Sequence, residues 1–110
     1  MAKNPRPRVL VADDHATFAE TLRDLLSIDY EVVGVVGDGT ALLHAAGEVS
    51  PDVVVADAEL KLPGGLDAGS GLKQRFPAIK LVYVTQQTEP TMAAEAFRGG
   101  ASAFLVKDSP

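Results

Sequence analysis

The stretch Val53-Val-Val-Ala-Asp57 constrains the fold more than any other part of this sequence. Three β-branched residues and an alanine run without alternation into a carboxylate, which is typical of a short strand buried on both faces. Such strands occur in parallel sheets that helices cover on both sides. In open parallel sheets, ligands bind outside the carboxyl ends of the strands. Asp57, at the end of this strand, is therefore a candidate functional residue.

Strand-like and helix-like segments alternate along the whole chain. Short apolar runs predict strands at residues 8–12, 31–36, 53–57, 81–85 and 103–106. Helical spacing and turn residues predict helices at 16–27, 40–48, 66–76 and 90–98. The predicted apolar stripe of the first helix consists of Phe18, Leu22, Leu25 and Leu26. This alternation predicts right-handed crossovers and one five-stranded parallel sheet, a doubly wound flavodoxin-like α/β fold.

Length, charge and cysteine content narrow the class of protein. The 110 residues suffice for one domain, and the absence of cysteine excludes a disulfide framework and a thiolate metal site. No apolar run is long enough to span a membrane and no signal peptide is recognisable, so we expect a cytoplasmic protein. The net charge of −5 argues against nucleic-acid binding by the domain itself, and Lys3, Arg6 and Arg8 are interpreted as a solvated terminus.

The last two residues, Ser109 and Pro110, suit the cap and the first position of a further helix. We therefore expect a fifth helix to begin where this sequence ends, and residues 1–110 to be one domain of a longer protein. Without that last helix, one face of the sheet is expected to expose apolar surface unless another element or another chain covers it.

Polar side chains follow the carboxyl ends of four predicted strands. They are Asp13 and Asp14 after the first strand, Asp57 in the third, Thr85 in the fourth and Lys107 after the fifth. Carboxylates about 4 Å apart repel by on the order of 4 kcal/mol per pair at an effective dielectric constant of 20, so such a cluster requires a cation. Oxygen ligands favour Mg²⁺ or Ca²⁺ over zinc, and few ligands in an open site favour Mg²⁺. Flanked by Mg²⁺, an ammonium and a hydroxyl, Asp57 is predicted to be a nucleophile that accepts a phosphoryl group.

Each of these residues has a simpler interpretation when it is taken alone. A single aspartate at a strand end is usually a turn or cap residue, a single lysine lies on the surface, and a single threonine belongs to its strand. Only their coincidence at one predicted edge favours a site. His15, which follows the two aspartates, is interpreted as a helix-entry residue rather than a general base.

Two enzymatic alternatives fit the pattern less well. A flavodoxin-like FMN binder requires a phosphate loop rich in Ser, Thr or Gly after the first strand, where this chain has two carboxylates. A phosphatase of the haloacid dehalogenase type requires its nucleophile there, in an Asp-x-Asp arrangement, whereas Asp13 and Asp14 are adjacent.

Four segments carry a resemblance to a known family. They read Val-Leu-Val-Ala-Asp13-Asp14-His15, Pro51-Asp-Val-Val-Val-Ala-Asp57, Val-Tyr-Val-Thr85 and Gly99-Gly-Ala-Ser-Ala-Phe104-Leu-Val-Lys107-Asp108. They resemble the receiver domain of two-component response regulators, more closely the NarL/FixJ type. The resemblance covers nearly the whole chain and lacks only the last helix of the fold.

The resemblance implies that Asp57 is the phosphoacceptor. Asp14 and Asp57 would bind Mg²⁺ directly, with Asp13 acting through water, and the backbone carbonyl of Glu59 would complete the protein ligands. The 20 positions from Asp57 to Pro77 match the usual spacing in the family, which favours Asp57 over Glu59 as the acceptor. The resemblance further implies that Lys107 contacts a phosphoryl oxygen. Thr85 and Phe104 would be the switch pair, in which the hydroxyl moves to the phosphoryl group and the ring turns inward.

The sequence departs from the family pattern at three places. Lys61 stands where proline is expected, so the loop after Asp57 is expected to have altered geometry. Gly69-Ser70-Gly71 interrupts the third helix, which predicts a short or broken helix unless tertiary packing holds it. Gln86 is bulky where many receivers have a small residue. The positions that tune dephosphorylation or access to the site are Glu59, Gln86 and Gln87.

The resemblance implies a phosphorylation-activated switch that a sensor histidine kinase controls. Such a domain is regulatory and catalyses at most its own phosphorylation and dephosphorylation. Its output is expected to be transcriptional, through a C-terminal DNA-binding domain that these residues do not include. The expected partners are an effector or a second copy of the chain in a homodimer, and no membrane partner is expected. The alternative is a pseudo-receiver, a protein-interaction module without efficient phosphorylation.

Overall fold

The computed structural model describes residues 6–86 and 89–107. The strands are β1 (Arg8–Ala12), β2 (Glu31–Val36), β3 (Val53–Asp57), β4 (Lys80–Thr85) and β5 (Ala103–Val106). The helices are α1 (Ala16–Leu26), α2 (Gly39–Val49), α3 (Gly65–Arg75) and α4 (Pro90–Arg98). None of these helices is long and apolar enough to cross a membrane. The predicted start of a fifth helix at Ser109 and Pro110 lies outside the described residues.

The five strands form one parallel sheet in the order β2-β1-β3-β4-β5. β3, the uniformly apolar run, lies at the centre and pairs with β1 on one side and β4 on the other. The predicted α/β fold with five parallel strands is confirmed. Because all strands run the same way, the residues that follow β1, β3, β4 and β5 meet at one edge of the sheet.

Helices cover both faces of the sheet, but unequally. On one face, α2, α3 and α4 contribute buried residues such as Leu42, Ala68 and Ala96 to the larger core. On the other face, Leu22 and Leu26 of α1 pack against a smaller cluster of strand valines. The larger core therefore lies under three helices, and α1 alone among the described helices contributes side chains to the smaller one.

Two leucines show where the smaller core ends. The predicted stripe of α1 is wrong at Leu25, which is 61% exposed. The buried face of α1 is centred on Ala19, Leu22 and Leu26, and Leu25 lies at its margin. Leu105 of β5, which projects from this face of the sheet beside Val84, is 54% exposed. Exposed apolar side chains therefore lie on this face of the sheet.

α3 is one continuous helix of 11 residues, so of the two possibilities that the sequence left open, it is tertiary packing that holds the helix despite its glycines. Gly69 lies directly over the side chain of Tyr83. A Cβ at Gly69 would overlap the Tyr83 hydroxyl oxygen and would lie 2.7 Å from Cζ of that ring. The glycine costs about 1 kcal/mol of helix propensity, and in return α3 packs closely over a buried tyrosine.

The loop between β3 and α3, residues 58–64, docks on the first turn of α2. The Gly39 amide donates a hydrogen bond to the Lys61 carbonyl, and the Thr40 amide and hydroxyl both donate to the Leu62 carbonyl, each at 2.8 Å. Asp38 caps the same helix end by accepting a hydrogen bond from a third amide. Leu62 has a φ of 59°, in the left-handed region that few non-glycine residues adopt. Whether this geometry departs from that of the family stays a prediction.

Candidate functional site

Three carboxylates meet at the carboxyl ends of the two neighbouring strands β1 and β3. Asp57 ends β3 and is completely buried, and Asp13 follows β1 and is nearly so. Asp14 projects further towards solvent, with 37% of its side chain exposed. One oxygen of each carboxylate and Nδ1 of His15 all lie within 4.8 Å of one another. The structure therefore brings the three predicted aspartates together.

Lys107 supplies positive charge to the two buried carboxylates. Its Nζ lies 2.9 Å from Oδ2 of Asp13 and 3.5 Å from Oδ2 of Asp57, and only 5% of its side chain is exposed. The ammonium also stands 4.1 Å from the centre of the Phe18 ring, which is a cation–π distance. Sequence reasoning assigned Phe18 to the helix core only, because the contact depends on the direction of both side chains.

His15 joins the carboxylates, which sequence reasoning missed. The residue occupies the N-cap position of α1, as expected of a helix-entry residue. Its Nδ1, however, lies 3.0 Å from Asp13 Oδ1, and it lies 3.3 Å from Asp14 Oδ1 and also 3.3 Å from Asp57 Oδ2. The hydrogen bond with Asp13 raises the pKa of His15 above its ordinary value. The only sequence signal for this role was its place directly after the aspartate pair.

The two oxygens of Asp57 have different surroundings. Oδ1 accepts a hydrogen bond of 2.9 Å from the Glu59 amide. No group in the described part of the chain donates a hydrogen bond to Oδ2, although the His15 ring and the Lys107 ammonium lie at ion-pair distance. A buried carboxylate oxygen without a donor is costly unless a cation or a ligand reaches it. Oxygen donors at this spacing fit a hard divalent cation such as Mg²⁺.

Thr85 and Phe104 lie on the neighbouring strands β4 and β5, where Thr85 pairs with Val106 and Phe104 pairs with Tyr83. Thr85 is completely buried at the end of β4, and its carbonyl accepts a hydrogen bond of 2.6 Å from the Lys107 amide. Phe104 is half-buried, and its ring centre lies 6.2 Å from that of Tyr83. Their role as a switch pair stays a prediction.

The three predicted tuning residues are only partly described. Glu59 is half-buried and contributes its amide to the site, whereas Gln86 is exposed directly after Thr85. Gln87 lies outside the described residues. The proposed effect of these side chains on dephosphorylation stays a prediction.

Comparisons with known proteins agree on one family. The family model of the response regulator receiver domain matches residues 9–110. The response regulator GacA of Pseudomonas viridiflava is 37% identical over 102 residues, which cover 91% of this chain and 48% of that protein. The probable transcriptional regulatory protein NarL of Mycobacterium tuberculosis is 32% identical over 111 residues, covering 96% of this chain and 51% of that protein. The chain thus spans about half the length of these relatives.

The solved structures agree with the sequence comparisons. A two-component response regulator of the LuxR family from Aurantimonas sp. SI85-9A1 superposes with a TM-score of 0.89 at 31% identity. The superposition covers 94% of this chain and 76% of that structure. Sequence and fold therefore point to the same family.

Proposed function

The chain belongs to the family of response regulator receiver domains, and we propose that its Asp57 accepts a phosphoryl group from a sensor histidine kinase. One observation carries this proposal. The buried carboxylate of Asp57 has one oxygen that receives no hydrogen bond from the described residues, beside two further carboxylates and an ammonium. A site of this kind attracts a cation and a phosphoryl group together.

The two oxygens of Asp57 would divide the work of the transfer. The Glu59 amide holds Oδ1, so we infer that Oδ2 is the attacking oxygen. The new bond joins Oδ2 to phosphorus while the bond between phosphorus and the kinase histidine nitrogen breaks. Lys107 already lies 3.5 Å from Oδ2, so its ammonium can offset the negative charge of the entering phosphoryl oxygens.

We assign the Mg²⁺ ligands to the carboxylates of Asp14 and Asp57 and the carbonyl of Glu59, with Asp13 acting through water. The ion, when bound, supplies positive charge against the carboxylates and the phosphoryl oxygens. The burial of Asp13 and its ion pair with Lys107 at 2.9 Å support an indirect role for this residue. Asp14, the most exposed of the three carboxylates, can hold a cation that keeps several waters.

We propose that Thr85 and Phe104 respond to phosphorylation as a switch pair. A phosphoryl group adds a charge of about −1.5 to −2 at neutral pH, which attracts the Thr85 hydroxyl. The half-buried Phe104 ring then turns inward and changes the surface formed by α4 and β5. In this proposal Glu59 and Gln87 set the lifetime of the phosphorylated state, and Gln86 narrows the access of phosphodonors to the site.

The output of the longer protein is also a proposal. Both curated relatives described above are response or transcriptional regulators, and this chain covers about half of each. We therefore propose a cytoplasmic response regulator in which this domain controls a C-terminal DNA-binding domain, with homodimer formation as the step between them.

Phosphorylation by a small-molecule donor tests the acceptor. After incubation with acetyl phosphate and MgCl₂, the chain is expected to gain the mass of one phosphoryl group, whereas Asp57→Asn gains none. Asp24→Asn, the same change at an exposed aspartate of α1, is the matched control and should be phosphorylated like the wild type. Borohydride reduction and peptide mass analysis then distinguish an acyl phosphate on Asp57 from one on Glu59. A wild-type chain without mass gain would contradict the proposal and favour the pseudo-receiver.

Mg²⁺ binding has a readout that does not require phosphorylation. The amide resonance of Glu59, which donates to Asp57, is expected to shift when MgCl₂ is added. Asp14→Asn is expected to weaken that response. An equal titration midpoint in the two chains would show that the ligand assignment of Asp14 is wrong.

A further inference from the structure

Tyr83 of β4 forms a direct link between the sheet and the start of α3. The ring is buried, and its hydroxyl donates a hydrogen bond of 2.9 Å to the carbonyl of Gly65, with the Leu66 carbonyl at 3.4 Å. Burial and the nearby charge of Asp67 raise the pKa of Tyr83 above its ordinary value. The hydroxyl therefore keeps its proton and remains a donor.

The sequence of α3 is adapted to this hydrogen bond. Gly69 leaves the space that the hydroxyl occupies, since a Cβ there would overlap the Tyr83 oxygen and would also lie 2.8 Å from Cδ2 of Leu81. An apolar residue on β4 opposite a larger residue on α3 would fill a core equally well. The pairing of a tyrosine with a helical glycine instead places a hydroxyl at the first turn of the helix.

Gly65, the residue that accepts this hydrogen bond, lies against the backbone of Asp57. A Cβ at Gly65 would overlap the Asp57 carbonyl oxygen and would lie 2.7 Å from the carbonyl carbon of Ala58. On the other side, the Ala58 amide donates a hydrogen bond of 2.9 Å to the Val84 carbonyl. The backbone that carries the Asp57 carboxylate is thus held between β4 and the start of α3.

We propose that Tyr83 is a positioning residue for phosphoryl transfer. Its hydroxyl holds the start of α3 against the Asp57 peptide and thereby fixes the direction of the accepting carboxylate. This inference rests on the proposed function of Asp57. Small displacements of reacting groups slow transfer steeply, up to roughly a hundredfold for 1 Å.

Tyr83→Phe removes the hydroxyl and retains the ring, so it isolates the hydrogen bond. The initial rate of phosphorylation by acetyl phosphate in saturating MgCl₂ is expected to fall about fivefold, the factor that corresponds to one hydrogen bond of ordinary strength. The amide resonances of Ala58 and Glu59 are expected to shift before any phosphodonor is added. Tyr30→Phe, the same change at an exposed tyrosine, is the matched control and should alter neither the rate nor these resonances.

Two further variants separate positioning from a general loss of stability. Tyr83→Leu combined with Gly69→Ala keeps the summed side-chain volume under α3 nearly constant without a hydroxyl, and it is expected to react as slowly as Tyr83→Phe. Leu26→Ala removes a contact with the smaller core at the end of α1 opposite His15, and it should react at the wild-type rate under conditions in which both chains are folded.

The outcomes distinguish this inference from the proposed function. A wild-type chain that takes up no phosphoryl group refutes the proposed function and this inference with it. A phosphorylated wild type with an equally fast Tyr83→Phe refutes the inference alone. A slower Tyr83→Phe whose Ala58 and Glu59 resonances are unchanged also overturns it, because the effect would then not pass through the Asp57 backbone.

Discussion

Replacing Asp14 by asparagine is expected to give a variant that is more stable than the wild type in EDTA and less stable than the wild type in Mg²⁺. Asp14 lies within 4.8 Å of a carboxylate oxygen of both Asp13 and Asp57. At that separation each pair of charges repels by about 3.5 kcal/mol at a dielectric constant of 20 and about 0.9 kcal/mol in water. Because Asp14 is 37% exposed, we take a value near that of water, about 2 kcal/mol for both pairs.

Nearby positive charge reduces this repulsion. Lys107 and His15 lie beside the same carboxylates and offset about half of it. In EDTA, Asp14→Asn is therefore expected to raise the free energy of unfolding by about 1 kcal/mol. Mg²⁺ at a hundred times its Kd stabilises a chain that binds it by about 2.7 kcal/mol. The wild type should gain that amount and the variant little, so the wild type becomes the more stable chain.

Urea denaturation followed by circular dichroism measures both effects in the same experiment. The wild type and Asp14→Asn are unfolded in EDTA and again in MgCl₂. Asp24→Asn is the control, and it should gain the same stability in MgCl₂ as the wild type. A variant that is less stable than the wild type in EDTA would refute the repulsion argument, since Asp14 would then stabilise the apo fold. An unchanged order of stability in MgCl₂ would refute the role of Asp14 as a ligand.

Three further perturbations follow from contacts in the same structure. Lys107→Met leaves the buried Asp13 without its ammonium and should lower the free energy of unfolding in EDTA by roughly 3 kcal/mol, measured by urea denaturation. The loss should be smaller in MgCl₂, and an equal loss in both would contradict the idea that Lys107 and Mg²⁺ balance the charge of the same carboxylates. Phe18→Leu should lose about 1 kcal/mol of cation–π stabilisation. The same substitution in a Lys107→Met background should not show this loss, because the ammonium is then absent. Asp38→Ala should lower stability by about 1 kcal/mol through the missing helix cap, whereas Asp38→Ser should retain most of it.

The regular elements of this fold were predictable because their signals are local. The bounds of β1, β2, β3 and β5 agree with the predicted ranges, since short apolar runs flanked by turn residues mark where these strands begin and end. The prediction was wrong at Leu25 because periodicity does not show which neighbour covers the margin of a helix. The sequence left the continuity of α3 open because the benefit of Gly69 comes from Tyr83, a residue of a different element.

The location of the site in the fold was predictable from the sequence, but only some of the side chains that form it were. Parallel strands bring their carboxyl ends to one edge, so the convergence of Asp13, Asp57 and Lys107 followed from the order of the elements. The participation of His15 and Phe18 did not, because it depends on side-chain directions that a linear sequence does not contain. The chemical roles of all these residues remain predictions until phosphorylation is measured.

The docking of residues 58–64 on α2 has a consequence for protein engineering. Receiver domains can be combined into chimeras, and the loop after Asp57 is one segment that could be exchanged between them. Here the donors for that loop come from Gly39 and Thr40, some twenty residues earlier in the chain. A transplanted loop whose carbonyls do not match would leave the first turn of α2 without acceptors. The two segments are therefore one unit of exchange, although the sequence separates them.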